Sequence, residues 1–187
     1  MRANGVLAEA LPMANKETVD VGRKFTSGKE CYPAILTTGD IVKKAMSPDF
    51  DPEASAFFMA TASGPCRFGQ YNKFHRMVLD ELGLPHVPIY TMDQGQNYDE
   101  DTKNLGTNFR KLAWNGIMYT DLLQKLQRET RPYELHKGET DSLYEKYVKK
   151  AELALEKHLN LVEIASEANS AFAKIQVDRS KPRPLIG

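Results

Sequence analysis

Two segments organise this sequence: GKECYPAILTTGD, residues 28–40, and AFFMATASGPCRFGQY, residues 56–71. They contain both cysteines of the chain, Cys31 and Cys66. Cys31 precedes Tyr-Pro, and because proline suits the first turn of a helix, a helix is predicted over residues 33–46. Cys66 follows an apolar run, 56–60, that is predicted to be a buried strand, and precedes a helix predicted over residues 68–82. Each cysteine is therefore expected at the start of a helix, where unpaired N–H groups favour the thiolate, the form that binds metals.

The composition indicates a soluble globular protein with a sizeable core. Of 187 residues, 25 are Lys or Arg and 25 are Asp or Glu, so the formal net charge is zero. This balance argues against nucleic acid or an anionic membrane as the main partner. No apolar run approaches the roughly 20 residues of a membrane span, and the N-terminus lacks a signal-peptide pattern. Two cysteines do not make a disulfide framework, so a reducing cytoplasm is expected.

Strand and helix signals alternate along the first two thirds of the chain. Strands are predicted near residues 6–11, 55–61 and 86–90, with a connecting loop over 13–27 that could contain one helical turn. After the two helices named above, long amphipathic helices are predicted over residues 105–130 and 140–172. The alternation is typical of an α/β fold with a parallel sheet. In such a sheet, the loops beginning at Ser63 and Thr91 and the loop of Cys31 would meet at one edge, where ligands bind.

The two cysteine motifs resemble those of a known family. GKECYPAILTTGD and SGPCRFGQY are similar to segments of the dehydratase-like region of large acyl-CoA dehydratase activase-related proteins, relatives of 2-hydroxyacyl-CoA dehydratase and benzoyl-CoA reductase subunits. The resemblance continues in GVLAEALP (5–12), SPDFDPEASAFFM (47–59), VLDELGLPHVPIY (78–90), LAWNGI (112–117), RETRPYE (128–134) and VDRSKPRPLIG (177–187).

The resemblance implies a fold and a cofactor. It implies a flavodoxin-like or Rossmann-like parallel sheet flanked by helices, with a long C-terminal helical segment. It also implies an iron–sulfur cluster, [4Fe–4S] or double-cubane, held by cysteine thiolates and supplied with low-potential electrons by an ATP-hydrolysing activase domain or subunit under anaerobic conditions. Cys31 and Cys66 match the ligand positions of the family. Arg67, which directly follows a cysteine at a helix start, could face the anionic cluster or a substrate.

Two departures from the family pattern bear on the domain organisation. A cubane cluster usually has three or four cysteine ligands, and this chain has two. The last residues read as the first part of a strand. The expected domains are therefore an α/β domain over 1–130, a helical extension and linker over 131–182, and the beginning of a further strand over 183–187, within a larger protein. Such a fragment is not expected to be active as a dehydratase or reductase by itself, and its exposed apolar surface makes a homodimer one candidate assembly.

The residues also allow plainer interpretations. Cys31 and Cys66 could be unliganded thiols in loops, and Arg67 could be solvated or paired with a carboxylate. His75 lies next to the apolar face of its helix and is more typical of a structural residue than of a ligand. The alternative to a redox module is a non-catalytic α/β docking domain of a multidomain protein, without a bound cluster.

Overall fold

The chain forms two compact units. The computed structural model describes residues 1–92, 105–106 and 108–184. One unit comprises Ala8–Asn104, and the other comprises Met1–Leu7 together with Leu105–Gly187. The domain boundaries predicted after residues 130 and 182 remain predictions, and the strand expected over 183–187 lies largely outside the described residues.

The unit Ala8–Asn104 contains the parallel strands. Its elements are α1 (Lys16–Gly22), α2 (Tyr32–Ala45), β1 (Phe57–Phe58), a 3-10 helix (Arg67–Gln70), α3 (Tyr71–Glu81) and β2 (Ile89–Tyr90). The strands pair in parallel, with Phe57 opposite Ile89 and Phe58 opposite Tyr90. Its core consists of apolar side chains from α2, β1, α3 and the turn before β2: Ile41, Phe57, Leu79 and Val87. The predicted parallel pairing of 55–61 with 86–90 is confirmed.

The predicted first strand is wrong. Residues 6–11 have no regular secondary structure, and the Leu7 side chain is fully exposed. Gly5, with φ of 79°, ends a short 3-10 helix over Arg2–Asn4. Apolar residues in this stretch suggested a strand, but a strand needs a hydrogen-bonded neighbour, and no described segment pairs with it. The chain is therefore a mixed α/β protein, mostly helical, whose described residues contain one two-stranded parallel sheet.

Helix positions in this unit follow the local signals closely. The helix predicted over 33–46 is α2, and the helix predicted over 68–82 is the 3-10 helix followed by α3. Gly83, with φ of 78°, follows the end of α3, as expected of a left-handed residue beyond a helix C-terminus. The stretch 13–27, predicted as a loop, contains α1. Asn15 caps α1 by accepting a 3.0 Å hydrogen bond from the Thr18 amide.

The second unit is a helical bundle. It contains α4 (Phe109–Thr130), α5 (Glu139–Glu156) and α6 (Leu161–Phe172). Its core draws buried side chains from all three helices and the segment after them: Tyr119, Leu123, Tyr147, Ala151, Ala154, Ile164, Ala168, Phe172 and Ile175. Among the described residues, no helix is long and apolar enough to cross a bilayer.

The single helix predicted over 140–172 is wrong, because α5 and α6 are separate. His158, between them, has a left-handed backbone with φ of 54°. Asn160 then caps α6 by accepting a 3.0 Å hydrogen bond from the Val162 amide. The His158 imidazole Nε2 lies 2.9 Å from the Ala3 carbonyl oxygen. Local capping and this contact therefore interrupt an apolar repeat that by itself suggested one continuous helix.

Candidate functional site

Cys31 lies at the N-cap position of α2, as the sequence predicts. Pro33 lies in the first turn, where its missing N–H costs no hydrogen bond. The loop before the cysteine is organised by the Glu30 carboxylate, which accepts hydrogen bonds from the Gly28 and Lys29 amides at 3.0 and 3.1 Å. The Cys31 side chain is partly exposed and is not in a disulfide, so its sulfur is free to bind a metal.

Cys66 is the N-cap residue of the 3-10 helix that leads into α3, and it is exposed and free. The loop that carries it leaves the C-terminal end of β1. The Thr61 amide donates to the Met92 carbonyl at 3.1 Å, so the chain beyond β1 remains beside the chain beyond β2. Cys66 therefore lies in a loop that starts at the C-terminal edge of the sheet, where the topology predicted it.

The loop between β1 and Cys66 is closely packed on the helix that follows it. The Thr61 hydroxyl donates a 3.0 Å hydrogen bond to the Gly69 carbonyl. A Cβ atom at Gly69 would lie 2.1 Å from the Ala62 carbonyl oxygen. Only glycine permits this approach. Gly69 therefore allows the loop to pack closely against the start of the helix, and this packing fixes the position of Cys66.

Arg67 joins the loops of the two cysteines. Its guanidinium Nη1 donates a 3.0 Å hydrogen bond to the Lys29 carbonyl oxygen, two residues before Cys31. An arginine adjacent in sequence to Cys66 therefore bonds directly to the loop of Cys31. This contact also supplies a positive charge at the place where two thiolates would lie.

Tyr71, at the start of α3, borders both cysteines. Its side chain is almost fully buried, with 7% exposed, and the Phe68 ring packs edge-on against it at a centroid distance of 5.5 Å. Burial raises the pKa of the Tyr71 hydroxyl. A hydrogen bond with Cys31 and electrostatic effects of Cys31 and Cys66 raise this pKa further, and Arg67 opposes them.

Tyr71 was not among the residues predicted for this site from the sequence. The spacing between Arg67 and Tyr71 is the feature of the sequence that could have identified it. Tyr71 lies one helical turn after Arg67, and residues four apart share a helix face. A tyrosine can pack its ring in a core while its hydroxyl meets a polar site.

His75 lies one turn further along α3 and is fully buried. Its Nε2 is 3.2 Å from the Thr37 hydroxyl of α2, whereas Nδ1 has no partner among the described residues. Burial lowers the pKa of His75 to about 4, because desolvation disfavours the imidazolium. A buried, neutral histidine between two helices agrees with the structural role expected for it.

The hydrogen bond of Arg67 thus brings together the loops that carry Cys31 and Cys66, the residues predicted with it from the sequence, and Tyr71 lies beside Cys31. In the part of the chain that is described, no group of three or more His, Cys, Asp or Glu side chains could hold a metal ion. The two thiols are therefore at most a partial ligand set there. Most of the loop predicted after β2, residues 93–104, lies outside the described residues.

The comparisons with known proteins identify no relative: no family model, no curated protein and no solved structure matches this chain.

Proposed function

We propose that this chain is an iron–sulfur-binding, electron-transfer module of an acyl-CoA dehydratase-like or activase-related protein. The observation that carries the proposal is the arrangement of the two cysteines. Cys31 and Cys66 each occupy the N-cap of a helix, and the Tyr71 hydroxyl is hydrogen-bonded to Cys31. Arg67 ties their loops together through the Lys29 carbonyl.

The chemistry of this pair suits iron better than a hard cation. Thiolate sulfur binds iron, zinc and copper, whereas calcium and magnesium need oxygen ligands. The Arg67 guanidinium, which bonds to the loop of Cys31, would also stabilise an anionic cluster held between the two loops. Bound between them, a cluster would accept and pass on single electrons at low potential. Cys31 and Cys66 would fill two of its coordination positions, and thiols from another chain or from solution would fill the others.

The proposal extends to the fold and the electron source. We place the two-stranded parallel sheet and its helices in a flavodoxin-like domain, in which loops at the C-terminal edge hold the cofactor. The electron donor would be an ATP-hydrolysing activase, and the setting an anaerobic cytoplasm, as in the family that the cysteine motifs resemble.

Anaerobic reconstitution tests this function. The purified chain is incubated with ferrous iron, sulfide and excess glutathione, whose thiol can fill the open positions, and is then desalted. We expect retained iron and acid-labile sulfide, with the broad visible absorption of thiolate-ligated iron. Cys31→Ser and Cys66→Ser should each lose most of the bound iron. Arg67→Gln should keep the cluster but lower its reduction potential, because a nearby positive charge stabilises the reduced, more negative state.

Met13→Ser is the matched control, because it also replaces a sulfur-bearing side chain by serine. Met13 is 95% exposed in a segment without regular structure, so this variant should bind iron as the unmodified chain does. If the unmodified chain retains no iron, or if the cysteine variants retain as much as Met13→Ser, the proposal is wrong.

The second candidate is a non-catalytic α/β docking domain. It is favoured by one observation, the exposed apolar face of α4, on which Trp114, Ile117 and Met118 are all more than half exposed. Under this function, anaerobically purified protein would be colourless and would titrate as two free thiols per chain. The iron measurement above therefore separates the two candidates.

A further inference from the structure

The outward face of α4 is apolar at its centre. Trp114 is 63% exposed, Ile117 60% and Met118 54%. The opposite face of the same helix packs against the other helices of the bundle, since Tyr119 and Leu123 are buried in its core. Soluble proteins rarely leave a cluster of large apolar side chains in water without a partner. The cluster contains the single tryptophan of the chain, and tryptophan is a frequent anchor of protein interfaces.

The residues of this face recur with the spacing of a helix–helix seam. Lys111, Trp114, Met118 and Asp121 follow one another at intervals of three, four and three residues, the pattern that lines one side of a helix facing another helix. Beside them runs a shallow groove lined in part by Ala113, Gly116 and Thr120. The small side chains of this groove leave room for a large side chain from a partner.

The charges on the seam are self-complementary in one orientation. Lys111 lies five residues before Gly116 and Asp121 five residues after it, while Trp114 and Met118 lie two residues to either side. In an antiparallel pair of identical helices that cross at Gly116, each Lys111 would face Asp121 of the second copy, and each Trp114 would face Met118. A parallel pair would instead place Asp121 beside Asp121, which is unfavourable.

Lys111 and Asp121 are available for such a contact. Both are exposed, and neither has a hydrogen bond or ion pair with any described residue. Lys150 on α5, by contrast, pairs with Glu167 of α6. The free charges therefore flank the apolar cluster at its two ends, one positive and one negative.

We propose that α4 is a homodimer interface, in which two copies of the chain pack antiparallel through Trp114, Ile117 and Met118 with reciprocal Lys111–Asp121 ion pairs. Such a contact is isologous: the same patch serves both copies, and the two-fold axis passes between Trp114 and Met118 on the outward face, at the level of Gly116 along the helix. The apolar centre supplies the affinity, while the two ion pairs determine the orientation. The interface is independent of whether the cysteines bind iron.

Sedimentation equilibrium and Trp114 fluorescence, both measured as a function of concentration, test the interface. We expect a monomer–dimer equilibrium in the micromolar range. Because Trp114 is the single tryptophan, its emission should shift to shorter wavelength over the same range of concentration as the ring leaves water. Met118→Asp should give a monomer whose emission does not change with concentration. Val162→Asp is the matched control, since Val162 is 72% exposed in the first turn of α6, where an aspartate is well tolerated.

Charge reversal tests the orientation. Lys111→Asp and Asp121→Lys should each weaken dimerisation by about tenfold, since each puts like charges opposite one another. The double variant restores opposite charges, and its dissociation constant should return close to that of the unmodified chain.

Three outcomes would overturn the proposal. They are a chain that stays monomeric up to millimolar concentration, a dimer that Met118→Asp leaves intact, and a double charge variant that is no better than the single ones. If the chain stays monomeric, the apolar face of α4 would instead be expected to bind a different protein.

Discussion

At the scale of single residues, His75 is the clearest case of a side chain whose state depends on its surroundings. Its imidazole is fully buried between α2 and α3, with one nitrogen close to the Thr37 hydroxyl and the other without a partner in the described structure. The folded protein therefore holds this histidine neutral, with its pKa lowered to about 4 from the usual 6.5. The unfolded chain binds a proton to it more readily.

Stability should depend on pH because of His75. Since its pKa is lower in the folded state, the stabilisation is complete above about pH 6.5 and is lost as the pH falls from there towards about 4. The loss attributable to this residue is on the order of 3 kcal/mol. In His75→Leu, urea unfolding measured between pH 4 and 7 should show a clearly smaller decrease in the free energy of unfolding.

At pH 7 the same variant should change stability by no more than about 1 kcal/mol. The Thr37 hydroxyl keeps its hydrogen bonds to the Pro33 and Ala34 carbonyls at 3.0 and 3.3 Å, so no donor is left without a partner. His136→Leu, at an exposed position, is the control and should retain the full pH dependence. An identical pH profile for His75→Leu and the unmodified chain would contradict the assignment.

At the scale of elements, α1 and α2 cross through two glycines. A Cβ atom at Gly22 of α1 would lie 2.0 Å from the Ile35 carbonyl oxygen of α2, and one at Gly39 of α2 would lie 2.0 Å from the Thr18 carbonyl oxygen of α1. Each helix therefore places its glycine directly against the backbone of the other. Backbone atoms cannot move aside as a flexible side chain can, so the crossing requires glycine at both positions.

Gly39→Ala should separate the two helices. Although alanine favours helix formation over glycine by about 1 kcal/mol, the clash with the Thr18 carbonyl outweighs this gain, and a net destabilisation of about 2–3 kcal/mol is expected. Urea unfolding monitored by circular dichroism measures the change.

Gly116→Ala makes the same substitution within α4, where the new methyl group would meet only the Leu155 Cδ1 atom, at 3.3 Å. That side chain can rotate away, so the change in stability should stay within about 1 kcal/mol and can be favourable. If the two substitutions have equal effects on the free energy of unfolding, then α1 and α2 can move apart at their crossing without a large energetic cost.

At the scale of the whole molecule, each compact unit has a hydrophobic core of its own. The core of Ala8–Asn104 contains Leu79, and the core of the helical bundle contains Leu123. Both side chains are completely buried. The bundle contains the two longest described helices, Phe109–Thr130 and Glu139–Glu156, so the loss of helical circular dichroism reports on its unfolding.

Leu123→Ala should destabilise the bundle by about 2–5 kcal/mol, since it removes a fully buried side chain and leaves a cavity. The urea midpoint of the circular dichroism transition should fall accordingly. Leu153→Ala is the control, because Leu153 is 56% exposed and its truncation should cost less than about 1 kcal/mol. A midpoint unchanged by Leu123→Ala would mean that this core is not what stabilises the helix.

Local signals in the sequence determined the positions of α2, α3 and α4, the positions of the two strands, and the place of each cysteine at a helix start. These features depend on a few adjacent residues. A proline in the first turn, a glycine beyond the last, and a short apolar run between turns act through local sterics and hydrogen bonding.

Only the tertiary structure decided which residues meet across the chain. Residues 6–11 did not become a strand because no described segment pairs with them, and the helix predicted over 140–172 divides where His158 bonds to the distant Ala3 carbonyl. The hydrogen bond of Tyr71 with Cys31 likewise depends on how α2 and α3 pack. Packing and pairing energies arise between segments far apart in sequence, and they override local preference wherever that preference is worth less than about 1 kcal/mol per residue.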